Sequence, residues 1–424
     1  MKSNFEKQFE EIFDKEKRVL IHGVPGVGKT RFCYGYCEKK ELMYVGMDCE
    51  YEYSVIEKLR EISKEKDFFK QFCTVCGIMN VKEKDLTVII ENADCSAVMC
   101  EEIIPVLMKL KVKLIITMRV INNATRPLTE IIKRLVMRPR SFNEAFSDLS
   151  INNDDSILRG HLKSGSKFPG MVHDNFRHLL EDYLVMGGMP YCLSLYDRSV
   201  MYEEEMKSGH ESGRLYVLEK IIEYSDLSDT EILRVRQVIN AVFEQMLQGD
   251  YHKFVVGKIR NGVTYSQYKP AIDFLVKNNI LYKIASREDE NHFILYYYDC
   301  GVLFDRLLQL SNKGKMTDRG EHIYYMAKRC FAVTELAGLG IVPQYWKSRH
   351  NAYIDLIFEI DGREFVCSIP RGKDLRGRAL YTYADALKPD DNTVFIRLSE
   401  ENINFGERYF NIPLYAISCI GDLK

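Results

Sequence analysis

Residues 23–30 read GVPGVGKT, a complete Walker A pattern. Glycines at 23, 26 and 28 free the backbone to turn consecutive N–H groups inward on an anion. Lys29 adds a point charge for the β- and γ-phosphates of a nucleotide, and Thr30 supplies a hydroxyl to Mg²⁺. A helix that starts here directs its positive end at the same anion. Gly23, Gly26, Val27, Gly28, Lys29, Thr30 and Arg31 are therefore the expected nucleotide-binding residues, with ATP as ligand and Mg²⁺ as cofactor.

Turnover of a nucleotide asks for more: an acid at a neighbouring strand end to hold the metal shell, and a residue that orients or deprotonates water. The stretch LTVII ends in Glu91, Asn92, Ala93 and Asp94. Glu91 is expected to join Thr30 at the metal. Asn92 can hold water by its amide but cannot accept a proton, so hydrolysis is expected to be slow, with Asp94 as a substitute acid. KLIIT ends at Thr117, the expected sensor of the γ-phosphate. Arg119, Arg134 and Arg138 follow; any of them can stabilise transition-state charge, and Arg134 is placed in the catalytic set with Glu91, Asn92 and Thr117.

These groups need a frame. RVLIHG leads into the glycine-rich loop, TRFCYGYCEKK continues as a helix, and ELMYVGMD, DLTVIIENAD and VKLIITMR supply further strands. Strands alternating with helices predict a parallel sheet, hence an α/β P-loop core over residues 1–140. Residues 141–232 turn mainly helical, with a Gly-Gly turn at 187 and 188 and the polar loop INNDDS, and are expected to form a lid. Over residues 233–310, VRQVINAVFEQML, TYSQYKPAIDFLVKNN, ILYKIAS and HFILYYYD read as a helical trio closed by a hairpin, the pattern of a winged helix. Residues 311–424 begin with the polar SNKGKMTDRG. They continue with a helix, the strand pair AYIDLIFEI and EFVCSI joined by an Asp-Gly turn, and a final strand PLYAIS, a separate α/β domain.

Composition sets the limits. At 424 residues the chain is long enough for about three domains of about 100–200 residues. No apolar run approaches the roughly 18–20 residues that span a bilayer, and the charged N-terminus MKSNFEKQFEEIFDKEK lacks the apolar stretch of a secretory signal, so a cytoplasmic location without membrane insertion is expected. The 12 cysteines are then reduced thiols, and Cys73 and Cys76 form a lone CxxC better read as packing than as a metal or redox site. A net charge of −2 confines any nucleic-acid contact to local patches. One such patch is Lys253, Lys258, Arg260 and Lys269 with Tyr265 and Tyr268 interleaved, another Arg371, Lys373, Arg376 and Arg378.

Beyond GVPGVGKT, the segments RLVMRPRSFNEAF, DYLVMGGMP, YYYDCGVL, RGEHIYYMAKRC, QYWKSRHNAYIDLIFEIDGREF and NIPLYAI follow in that order. Together they resemble a bacterial and archaeal family of AAA-superfamily, STAND-like ATPases that end in a winged helix and a restriction-endonuclease-like domain of the PD-(D/E)xK type. The resemblance implies ATP binding and a nuclease-type core over residues 311–424. In that core Glu321 and Asp355 match the first helix's glutamate and the first strand's aspartate. The following Glu-x-Lys falls on Cys367, Ser368 and Ile369, which replace neither a hard oxygen ligand nor a cation, so the nuclease is expected to be inactive. The family's Asp-Glu is Glu91-Asn92 here, and Met118 and Arg119 replace small residues of its sensor segment. The expected function is a nucleotide-dependent switch with slow ATP hydrolysis, its end domain engaging a protein partner. The alternative is a nucleotide-assisted DNA-binding or defence effector that does not cut. Oligomeric state stays open.

Overall fold

The computed structural model describes residues 3–148, 155–196, 216–248, 251–304, 320–349, 352–371 and 377–423. Most of INNDDS, the run SNKGKMTDRG up to residue 319, Lys373, Arg376 and the side chain of Glu321 lie outside this description. The chain divides into two compact units: residues 1–138, 215–232 and 277–279 form the first, and residues 139–214, 233–276 and 280–424 the second.

The first unit is built on a parallel sheet of β1 (Arg18–His22), β2 (Met43–Asp48), β3 (Leu86–Glu91), β4 (Lys113–Met118) and β5 (Arg134–Val136), in the order β2-β3-β4-β1-β5. β3 and β4 are runs of Val, Ile and Leu because a parallel sheet sandwiched by helices buries both faces of its inner strands. Every residue of β3 is buried. One face packs Leu20, Val88, Ile90 and Ile116 against Ile56, Leu59, Phe68, Phe72 and Ile103 of the covering helices. This arrangement of strands and glycine-rich loop matches a P-loop nucleotide-binding fold.

The N-terminal helix Asn4–Glu16 is opened by Ser3, whose side chain accepts from the Glu6 N–H at 3.0 Å. Its buried Phe9 meets Phe32 and Tyr36 edge-on, with ring centroids 4.9 and 4.7 Å apart. Those two rings belong to the helix Lys29–Lys39, so the helix that follows the phosphate loop is clamped from outside.

The expected helical trio is two long helices, Asp229–Leu247 and Tyr265–Lys277, most of whose residues belong to the second unit, with a single 3₁₀ turn at Val256–Lys258 between them. Two adjacent β-branched valines and Gly257 make the middle segment a poor helix. β6 (Leu281–Ala285) and β7 (Phe293–Tyr297) then form an antiparallel hairpin. After the helix Gly320–Gly338 comes a mixed sheet of β8 (Gln344–Lys347), β9 (Tyr353–Ile360), β10 (Arg363–Ser368), β11 (Thr393–Ser399), β12 (Asn404–Phe405) and β13 (Phe410–Pro413), ordered β12-β13-β11-β10-β9-β8. β8, β9 and β10 pair antiparallel, whereas β11 lies parallel to β10 after the helix Arg378–Leu387. Asp361 and Gly362, both with positive φ, make the expected tight turn between β9 and β10.

The expected last strand PLYAIS is displaced. Pairing ends at Pro413, which has no N–H to extend a ladder, and Leu414–Asp422 coil into a 3₁₀ helix.

Three of the segments singled out in the sequence meet within the second unit. The Arg140 N–H donates to the Gly188 carbonyl at 2.8 Å, and the Gly188 N–H donates to Asp299 Oδ2 at 2.9 Å. Tyr183 donates its hydroxyl to the Arg140 carbonyl, and Asp299 Oδ1 also accepts from the Gly301 N–H at 2.8 Å. RPRSF, YLVMGGMP and YYYDCG thus form one buried hydrogen-bonded knot.

Candidate nucleotide-binding site

The loop after β1 has the backbone a phosphate cradle requires. Gly26 and Gly28 hold φ of 76° and 100°, values that L side chains rarely adopt. Val27 and Lys29 are buried, while Arg31 points to solvent from the first turn of the helix. Lys29 Nζ donates to the carbonyls of Gly23 and Val24 at 2.7 and 3.0 Å, folding the lysine back over its own loop. Burial pushes its ammonium down to about 7, against the opposing pull of Asp94.

Thr30 and Glu91 come together as expected. The Thr30 hydroxyl donates to Glu91 Oε2, and the Tyr34 hydroxyl donates to Oε1 at 2.7 Å. A hydroxyl beside a carboxylate is a set of hard oxygen donors, so these residues fit Mg²⁺. Tyr34 reaches Glu91 across Gly46 of β2, where an added Cβ would sit 1.9 Å from the tyrosine oxygen. Burial and the bond to Glu91 hold the Tyr34 hydroxyl above its usual range, so it stays a donor.

Asn92 takes the left-handed conformation, with φ 51° and ψ 45°. Its N–H donates to Thr117 Oγ1 at 3.1 Å, which ties the ends of β3 and β4 together and uses the threonine oxygen as an acceptor, leaving its O–H as the donor expected to sense phosphate. Its side-chain Nδ2 donates to Asp48 Oδ1 at 3.0 Å. Asp48 closes β2 and lies in register with Glu91.

Asp94 is engaged by Arg119. The Arg119 N–H donates to Oδ1 at 2.8 Å and Nε to Oδ2 at 3.1 Å, while Nη1 pairs with Glu50 Oε2 at 2.7 Å. The guanidinium also lies 3.9 Å from the Tyr224 ring centroid. Tyr224 donates to Glu50, and its carbonyl accepts from Asn122 Nδ2 at 3.2 Å. Arg119 is therefore a buried hub joining the ends of β2, β3 and β4 to residues 216–226, which belong to this first unit.

Arg134 stands apart from that group. It is exposed at the start of β5, its Cα opposite Leu20 and two residues short of the strand end. Burial of part of its side chain, then Arg138, lowers its guanidinium from the usual range. Among the described residues, Arg134, Arg138 and Lys277 have no carboxylate within ion-pair reach. His22, at the end of β1, is fully buried with Nδ1 3.3 Å from Asn279 Nδ2. Burial, then Arg134 and Lys29, push it down to about 3, so the ring is neutral.

Elsewhere, Cys73 and Cys76 are half-buried free thiols. In the second unit Asp355 is buried, pairs with Arg329 Nε at 3.0 Å, and accepts from the Tyr325 hydroxyl at 3.2 Å and the Ile369 N–H at 2.6 Å. Lys269 pairs with Asp273 on its own helix, Lys258 donates to Gln248, and Tyr268 is buried against Gln237. The sequence reading missed Asp48, Tyr34, Glu50 and Tyr224. A carboxylate closing ELMYVGMD was the one visible signal.

Residues 177–314 match a family model described as a domain of unknown function, DUF8612. No curated protein matches the chain. Among solved structures, a Walker-type ATPase of Pyrococcus abyssi is similar at 14% identity and a TM-score of 0.43, over 72% of this chain and 94% of that one. The RuvB Holliday junction branch migration motor of Thermotoga maritima is similar at 11% identity and a TM-score of 0.25, over 69% and 91%. A point mutant of the same motor gives 0.26.

Proposed function

We propose that this chain binds Mg-ATP at the loop of residues 23–30, hydrolyses it slowly, and acts as a nucleotide-dependent switch on the state of its C-terminal part. The observation that carries the reading is the meeting of Thr30, in the first turn of the helix after the loop, with Glu91 at the end of β3, beside a loop in which Gly26 and Gly28 are left-handed and over which Lys29 folds back. Gly23, Gly26, Val27, Gly28 and Lys29 would hold the phosphates, with Arg31 at the mouth. Thr30 and Glu91 would hold Mg²⁺, which neutralises charge on the β- and γ-phosphates. Asn92 and Thr117 would set the water and sense the γ-phosphate, and Arg134 would supply transition-state charge. Asn92 orients water but takes no proton itself, so turnover slower than with a glutamate in its place follows.

In the second unit, we read residues 233–310 as a winged helix and 311–424 as a restriction-endonuclease-like core that does not cut. The helix, three antiparallel strands, helix and parallel strand of residues 320–399 support the latter, and Arg329 on Asp355 supports the lack of cleavage. A protein partner is the preferred target. The alternative, DNA binding without cleavage, has in its favour the exposed Lys253, Lys258 and Arg260. Calorimetric titration of Mg-ATP into wild type and Lys29→Ala tests the reading. Saturable binding lost in the folded variant is expected, and equal affinity for both would sink the site.

A further inference from the structure

Nothing assigned so far supplies a proton acceptor. Glu91 has Thr30 and Tyr34 on its two oxygens, and Asp94 has Arg119 on both of its own. Glu50 is taken by Arg119 on one oxygen and by Tyr224 and Lys220 on the other. Asp48 differs. Its Oδ1 accepts from Asn92 Nδ2 at 3.0 Å and from the Glu50 N–H at 2.9 Å, whereas Oδ2 accepts no hydrogen bond from any described residue. The side chain is half-buried at the carboxyl end of β2, one strand from Glu91 and in register with it.

We propose that Asp48 is the base of this site and Asn92 its positioning residue, the amide and the carboxylate dividing between neighbouring strands the work of one glutamate. The inference rests on the ATPase reading above. As the water oxygen bonds to the γ-phosphorus, the bond from that phosphorus to the β–γ bridging oxygen breaks and its electron pair leaves with ADP. One water proton passes to Asp48 Oδ2 and then to solvent, giving ADP, phosphate and a proton. The left-handed backbone of Asn92, held by Thr117, aims the amide at Asp48 and fixes which oxygen stays open.

Glu52 is the rival, a carboxyl that burial and the nearby Asp48 charge hold above its usual range. Single-turnover hydrolysis and Mg-ATP binding, measured on the full chain, separate the two. Asp48→Asn is expected to slow hydrolysis about tenfold or more while binding stays within about threefold, as for loss of a positioned base. Asn92→Ala is expected to slow wild type but add little in the Asp48→Asn background. Should Asp48→Asn fail to bind Mg-ATP, Asp48→Ala is read instead, with formate expected to restore part of its rate. An unchanged rate in the Asp48 variants, the same loss in Glu52→Gln alone, or bound ATP that wild type never hydrolyses overturns the proposal and leaves nucleotide binding standing. Failure of wild type to bind Mg-ATP overturns both.

Discussion

Arg329 Nε lies 3.0 Å from Asp355 Oδ1, both side chains buried, with Tyr325 and the Ile369 N–H on the same carboxylate. The oxygen that would meet a metal ion meets a guanidinium instead, and the backbone of Ile369 fills the other side. Uncovering a buried paired carboxylate leaves an uncompensated charge, at roughly 3–5 kcal/mol. We therefore expect no Mg²⁺- or Mn²⁺-dependent cleavage when purified protein is incubated with duplex DNA or RNA. Cleavage that disappears in Asp355→Ala would overturn this expectation.

The phosphate loop was legible because its chemistry demands contiguous residues: GVPGVGKT carries glycine freedom, cation and hydroxyl within one turn of chain. The carboxyl ends of β3 and β4 were legible for a related reason: a polar residue, Glu91 in the last position of β3 and Thr117 in the last but one of β4, follows an apolar run. Asp48 stops its strand too, but its meaning depends on which strand lies beside it, and the order β2-β3-β4-β1-β5 is not local information. Arg119 was open to reading as one of the arginines that stabilise transition-state charge because its partners Glu50 and Tyr224 lie far away along the chain. PLYAIS misled by composition, since an apolar run fits strand and buried 3₁₀ helix alike and only Pro413 marked the change.

Gly46 makes a test of the metal arm. A methyl group there meets the Tyr34 hydroxyl, so Gly46→Ala must push the ring off Glu91 or strain β2, at about 1–3 kcal/mol. Tyr34→Phe removes the same hydrogen bond without crowding. Both variants are expected to lose part of the affinity gained from Mg²⁺, read as the ratio of ATP dissociation constants with Mg²⁺ and with EDTA, while affinity in EDTA changes little. A wild-type ratio in both would mean that Tyr34 does not position Glu91.

The last prediction concerns the charge on Lys29. Burial pushes its ammonium down to about 7, so in the free protein the lysine is mostly neutral above that pH. A polyphosphate in the loop favours the charged form and raises the pKa, so binding must take up a proton wherever the free lysine is neutral. The sign follows: affinity is full below about pH 7 and falls as pH rises through the free-state value, by up to about tenfold per unit, until the bound-state value is reached. Terminal phosphate ionises near 6, so at about pH 8 the nucleotide itself contributes little to the exchange. Calorimetry at about pH 8 in buffers of different ionisation enthalpy is expected to report uptake approaching one proton per Mg-ATP. Lys29→Arg, charged throughout this range, should abolish the uptake while keeping part of the binding. If wild type binds with no proton exchange, Lys29 is already charged in its buried place, and the two carbonyls of Gly23 and Val24 stabilise the ammonium more than its burial penalises it.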